Sequence, residues 1–247
     1  MKRLILKSVS NILLLLSDTQ FRKLWIALAR YRCRSLKPAE AMRFLLETDS
    51  DLYLLEGDEA VRYGSGEHPK HRLMRYHDFF IARIKPGERV LDIGCGIGAL
   101  ARDVAEHSKA TVVGIDLDEQ NISVARSRYA HKRVEYRVGN VLTDLPYEKF
   151  DVAILSNVLE HLPDRANFLR KLVQVARPSR LLVRVPLFDR EWRVPLKKEL
   201  GVDYRLDNTH ETEYTTESFA QEIAAAGLRI VHQEIRWGEI WAEVMPL

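Results

Sequence analysis

From Glu88 to the end of the chain, short apolar runs alternate with segments of helical period. Arg89–Ile93, Thr111–Asp116, Arg133–Val138, Phe150–Leu155 and Leu181–Val185 are brief and rich in Val, Ile and Leu, which predicts buried strands. Gly98–His107, Glu119–Tyr129, Ala166–Ala176 and Thr216–Ala226 instead read as helices. Alternation of this kind predicts right-handed crossovers and a mostly parallel sheet covered on both faces. The end differs. Leu228–Ile235 and Glu239–Val244 are strands separated only by Arg236-Trp237-Gly238, a link short enough to demand an antiparallel hairpin. The expectation is an α/β, doubly wound, seven-stranded and mostly parallel sheet with a C-terminal antiparallel hairpin.

Upstream the pattern is helical. Phe21, Leu24, Trp25 and Leu28 recur at i, i+3, i+4 and i+7 within Ser17–Arg34, with Ser17, Asp18 or Thr19 as candidate caps. A second helix is expected over Pro38–Asp51. After Gly57 the chain turns polar and Gly-containing through Tyr63–Pro69, then re-enters a helix over His71–Ile84 that Pro86-Gly87 ends. The expected division is an N-terminal helical extension over 1–60 and an α/β domain over 61–247. Within it, 188–215 is an insert too long for a plain connection and suited to covering a substrate.

Charge sharpens this division. Residues 1–37 hold nine basic side chains against Asp18 alone, so a segment of net +8 precedes a remainder of net −5. Such asymmetry suits an anionic partner or a solvated helix face. The apolar stripe of the first helix accordingly packs on the domain or a partner subunit, or lies on an anionic membrane surface. Lys7, Ser8, Ser10 and Asn11 interrupt the first apolar run, and no A-x-A-like site follows, so neither an export signal nor a spanning helix is expected. Cys33 and Cys95 form no CxxC pair, which argues against a disulfide framework and for a reducing, cytoplasmic compartment.

Val90–Leu100 reads as a strand, a tight glycine turn and a helix start, with Gly94, Cys95, Gly96 and Gly98 in the turn. By itself this turn fits a dinucleotide or S-adenosylmethionine. Asp92 favours the second. A carboxylate at the strand end would repel a pyrophosphate, whereas adenosylmethionine presents a sulfonium and an ammonium. Asp116 closes the second strand about 20 residues beyond Gly96, the spacing at which a carboxylate takes ribose hydroxyls, and Leu117 would lie beside the adenine.

With these motifs in order, the chain resembles class I S-adenosylmethionine-dependent methyltransferases of the broad UbiE-like group, over Val90–Leu247. That resemblance implies a Rossmann-like domain with S-adenosylmethionine as cofactor. It places Asn140 and Val141, in Arg137–Val141, at the adenine, and Ser156 in the fourth motif, Phe150–Leu162. Asn140 stands where many relatives carry Asp. His68–His71 and Trp192–Leu200 resemble methyltransferases associated with bacterial surface-polysaccharide pathways.

Methyl transfer to a hydroxyl needs positioning and loss of a proton. His210, in the insert, is the preferred base, with Glu211 or Asp203 to orient it; His161, past the fourth strand, is the second candidate. Tyr63–His71 would form the opposite wall, with Tyr63 and Arg72 candidates for contacts to the methionine end or the substrate. His68, His71 and His77 lack the flanking ligands of a metal set, so no metal is expected. The expected acceptor is a small molecule or glycan, methylated on oxygen. DNA is not expected, because Ser156–Leu159 lacks the Asn/Asp-Pro-Pro-aromatic run of adenine-amino enzymes. Carbon or nitrogen methylation, RNA methylation and a non-catalytic cofactor-binding subunit remain alternatives, as does a NAD-dependent oxidoreductase.

Overall fold

The computed structural model describes residues 15–247; the expectation for the extreme N-terminal apolar run concerns residues outside these. Two compact units are present. Among the described residues, one comprises 15–59 with Leu196–Asp203, and the other Ala60–Pro195 with Tyr204–Leu247.

In the first unit, α1 (Asp18–Arg34) starts at Ser17, whose hydroxyl accepts from the Gln20 N–H while the Gln20 side chain accepts from Ser17 N–H. This reciprocal cap satisfies two donors that a helix start leaves open. No residue of α1 is buried. The following helix, α2 (Pro38–Tyr63), runs through Gly57 instead of ending near Asp51. A lone helical glycine costs only about 1 kcal/mol. The helix stops where Ser65 and Gly66 both take positive φ.

In the second unit, the helix expected over His71–Ile84 is two short ones, α3 (Lys70–Met74) and α4 (Tyr76–Ile81). Arg75 between them takes left-handed φ of 51°, which no α-helix can propagate through. Then follow β1 (Arg89–Ile93), α5 (Ala99–Ser108), β2 (Thr111–Asp116), α6 (Glu119–Arg128), β3 (Val134–Val138) and β4 (Val152–Ser156). A 3₁₀ turn (Leu159–His161) leads to α7 (Arg165–Ala176), β5 (Arg180–Pro186), α8 (Arg193–Glu199, whose residues from Leu196 on belong to the first unit), α9 (Thr216–Ala225), β6 (Leu228–Arg236) and β7 (Glu239–Pro246). Helix α8, inside the insert, had no counterpart in the sequence reading.

The sheet has seven strands in the order β3-β2-β1-β4-β5-β7-β6. All pairings are parallel except β5–β7 and β6–β7. The final hairpin turns through Trp237-Gly238, both at positive φ, as a two-residue turn matched to strand twist requires. The doubly wound α/β expectation therefore holds.

Successive strand residues enter opposite cores, which is why these strands read as unbroken apolar runs. Leu91, Ile93, Ala153, Leu155, Leu181 and Val183 pack on one side with α7 and α9. Val90, Val152, Ile154, Leu182 and Trp241 pack on the other with α4 and α5. By alternation, Asp92 and Arg184 belong to this second face, on strands flanking β4.

Candidate active site

The site lies at the carboxyl ends of the central strands, where an open α/β sheet binds ligands. After β1 the chain turns through Gly94 and Gly96 at φ of 64° and 54°. A Cβ on Gly94 would stand 2.5 Å from Val158 Cγ2, whereas one on Gly96 would meet no protein atom within 4 Å. Gly94 thus makes room for the chain itself, and Gly96 keeps a space clear. Gly98 caps α5 and packs on Tyr136 and Ala125, serving the close approach of helix to strand.

Above the turn opens a cleft with an empty volume of ≈ 690 Å³. Of the residues expected at the cofactor, Asp92, Gly94, Cys95, Gly96 and Ser156 line it, whereas Gly98, Asp116, Leu117, Asn140 and Val141 do not. Asp92 is 1% exposed, and its Oδ2 has no hydrogen-bond partner. Burial, reinforced by the Asp116 charge, pushes its pKa up to about 8. Asp116 is half-buried: Oδ2 accepts from Gly96 N–H at 2.8 Å, and Oδ1 accepts from Asp118 N–H and the Asn121 amide. Leu117 is 71% exposed at the end of β2. After β3, Asn140 Oδ1 accepts from Leu142 N–H, with half-buried Val141 packed against the core.

The opposite wall is Lys70, His71, Tyr76, Asn157 and Arg184. Arg184 is 3% exposed; its guanidinium lies 3.7 Å over the Tyr76 ring, and Nε contacts Asn157 Oδ1 at 2.9 Å and Glu239 Oε2 at 3.1 Å. Its Nη1 is buried without a partner. Burial lowers the Lys70 pKa, helped by Arg184, and brings His71 down to about 4. Tyr63 and Arg72 are exposed and do not line the cleft; Lys70 and His71 take the place assigned to them.

A second cluster stands just past β4. Glu160 is fully buried, and neither carboxylate oxygen has a hydrogen-bond partner. Burial pushes its pKa up to about 8. The His161 and His210 rings meet edge-on with centroids 4.5 Å apart. His161 Nδ1 lies 2.9 Å from Thr209 Oγ1, and His210 Nδ1 lies 2.9 Å from Glu213 Oε1. The partner of His210 is therefore Glu213, and not Glu211 or Asp203. Burial would raise the Glu213 pKa, but hydrogen bonds from His210 and Leu206 N–H and the Arg190 charge outweigh it and hold the group ionised. Burial and the neighbouring His210 lower the pKa of His161.

A family model described as "Methyltransferase domain" matches residues 65–233. The chain belongs to this family. A ubiquinone biosynthesis O-methyltransferase from Bradyrhizobium diazoefficiens is 34% identical over 131 residues, covering 51% of each chain. A ribosomal protein L11 methyltransferase from Burkholderia orbicola is 36% identical over 114 residues, covering 46% of this chain and 36% of its own. The chain thus spans about half or less of the length of these curated relatives. The fold is shared with an S-adenosylmethionine-dependent methyltransferase from Aquifex aeolicus at a TM-score of 0.56 and 18% identity, covering 73% of this chain and 94% of that one. It is also shared with a Haloferax volcanii structure, the Trm112 activator in complex with a putative methyltransferase, at a TM-score of 0.61 and 15% identity, covering 78% and 98%.

The chain is a class I methyltransferase domain whose cofactor is S-adenosylmethionine. The cleft fits that molecule's charges, since the orphan Asp92 oxygen suits an ammonium and the orphan Arg184 Nη1 suits a carboxylate. Arg184 escaped the sequence reading, although an arginine inside the apolar run Leu181–Pro186 was a signal of a buried charge with a task. Glu160 escaped because its burial is set by the distant insert. Backbone N–H groups of Glu211 and Thr212 bond to the Glu160 carbonyl and draw His210 against it.

Proposed function

We propose that the methyltransferase moves a methyl group from S-adenosylmethionine to a hydroxyl oxygen of a small-molecule or glycan acceptor. The observation that carries this reading is the juxtaposition of Glu160, His161 and His210, with Glu160 in electrostatic reach of the cleft-lining Arg184. Bound adenosylmethionine supplies an electrophilic methyl on a sulfonium. Asp92 and Arg184 orient the methionyl end, while the glycine turn admits the cofactor backbone-close. The acceptor oxygen forms the new C–O bond as the C–S bond breaks, and it gives up its proton at this cluster. Relatives bearing the name O-methyltransferase support oxygen as the methylated atom.

The test pairs calorimetric titration with S-adenosylhomocysteine and a labelled-methyl screen over hydroxylated aromatics and sugars. Saturable binding and a methyl ether product are expected. A product methylated on carbon or nitrogen would overturn the oxygen assignment, and no binding would overturn the enzyme reading.

A second proposal concerns location. No helix among the described residues is long and apolar enough to cross a membrane. Helix α1 nevertheless leaves Phe21, Leu24, Trp25 and Leu28 at 39–56% exposure beside Arg22, Lys23 and Arg30. A helix that leaves about half of its apolar stripe open is marginal without a partner, and this composition suits an anionic bilayer surface.

A further inference from the structure

We propose that Glu160, His161 and His210 form a binding site for one divalent transition-metal cation of the zinc class, placed to hold the acceptor's hydroxyl. This rests on the methyl-transfer reading for its purpose and on the cluster's geometry for its existence. One donor atom from each residue lies within 4.8 Å of the others. The two Glu160 oxygens hydrogen-bond to nothing, so the cluster is not a proton-sharing network. Ligand atoms about 2.1 Å from a tetrahedral ion stand roughly 3.4 Å apart, so shifts of at most about 0.7 Å per side chain complete the site.

The supporting contacts are those that metal-binding histidines use. Each ring is anchored through Nδ1, His161 at Thr209 and His210 at Glu213, which leaves Nε2 as the free ligand nitrogen on both. Glu213 is itself fixed by Arg190 Nη1 at 2.6 Å and Leu206 N–H at 2.7 Å, so the ring is held by a held carboxylate. Glu160 and His161 are adjacent on the 3₁₀ turn and His210 arrives on the insert, whose backbone is bonded to Glu160 at 2.8 Å. A doubly charged ion would also resolve the most expensive feature of this region, a fully buried carboxylate with no partner.

Two imidazoles and one carboxylate leave coordination positions open, as catalytic and not structural sites do. A hydroxyl bound there loses its proton near neutral pH, the proton passing to solvent and the oxygen keeping the electron pair with which it attacks. The sequence expectation of no metal had weighed only His68, His71 and His77.

The test uses the untagged full chain, stripped with chelator and titrated with Co²⁺ as a spectroscopic probe, then with Zn²⁺. Expected are visible absorption bands saturating at one equivalent and their loss as Zn²⁺ displaces the probe. Glu160→Gln and the half-exposed His161→Gln should each weaken binding at least about tenfold, and Glu213→Gln by roughly 10–100-fold. Adenosylhomocysteine titration in parallel verifies that each variant is folded and separates the two readings. Absent bands, or bands unchanged in both ligand variants, would overturn the metal site even where adenosylhomocysteine binds normally. Failure of adenosylhomocysteine to bind the wild type would instead strike the methyltransferase reading.

Discussion

Asp116 Oδ2 accepts the Gly96 N–H at 2.8 Å, tying the end of β2 to the glycine turn after β1. The acidic residue therefore shapes the turn as well as being available to a ribose. Asp116→Ala removes a charged acceptor worth roughly 1.5–3 kcal/mol. Adenosylhomocysteine binding should weaken by at least about tenfold, and Asp116→Asn should lie between the two. Calorimetry showing wild-type affinity in the alanine variant would reject both roles.

Gly94→Ala should destabilise the fold. Its φ of 64° is unfavourable for alanine, and the new methyl would stand 2.5 Å from Val158 Cγ2. A cost of about 2 kcal/mol corresponds to a melting temperature lower by roughly 4–8 °C. Gly96→Ala, with open space at its Cβ, should lose cofactor affinity more than stability.

The Asp92 carboxyl gives cofactor binding a pH dependence. With its pKa raised from 3.8 to about 8, the free site holds a proton at pH 6–7. An ammonium beside it favours the carboxylate, so that proton is released on binding. Affinity for adenosylhomocysteine should rise with pH from 6 to 8, by up to about tenfold per unit, and level off above. Stability of the ligand-free protein runs the other way, falling as pH climbs towards 8, because the native carboxyl keeps a proton the unfolded one has lost. Asp92→Asn should bind weakly with a flat profile; a sloping one would assign the proton elsewhere.

Vesicles test the outer face of α1. The wild type should sediment with vesicles containing anionic lipid and far less with neutral ones, with binding weakened by salt. Trp25→Ala combined with Arg22→Ala and Lys23→Ala should abolish the difference. Equal sedimentation of wild type and variant would remove α1 from any membrane role.

Local physics wrote much of this molecule into its sequence. The strands could be read from their apolar runs, and the final hairpin from a link too short to cross the sheet. The glycine turn with Asp92 and Asp116 was equally legible, because both its backbone demands and its charges sit within one βαβ unit. Ser17, one of three candidate caps in the sequence, caps α1. Other features needed the assembled fold. The αL break at Arg75 carries no glycine or proline to announce it, and α2 passes Gly57 because a modest propensity cost yields to the residues around it. Arg184 meets Asn157, Tyr76 and Glu239 only once β4, β5, β7 and α4 are placed side by side. The exchange of Glu211 and Asp203 for Glu213 beneath His210, and the union of His210 with Glu160 and His161, have the same origin. Sequence sets which residues can carry charge or bend the chain. Only the sheet's order and the insert's return bring distant side chains within bonding distance, because burial and proximity are properties of the whole packed structure.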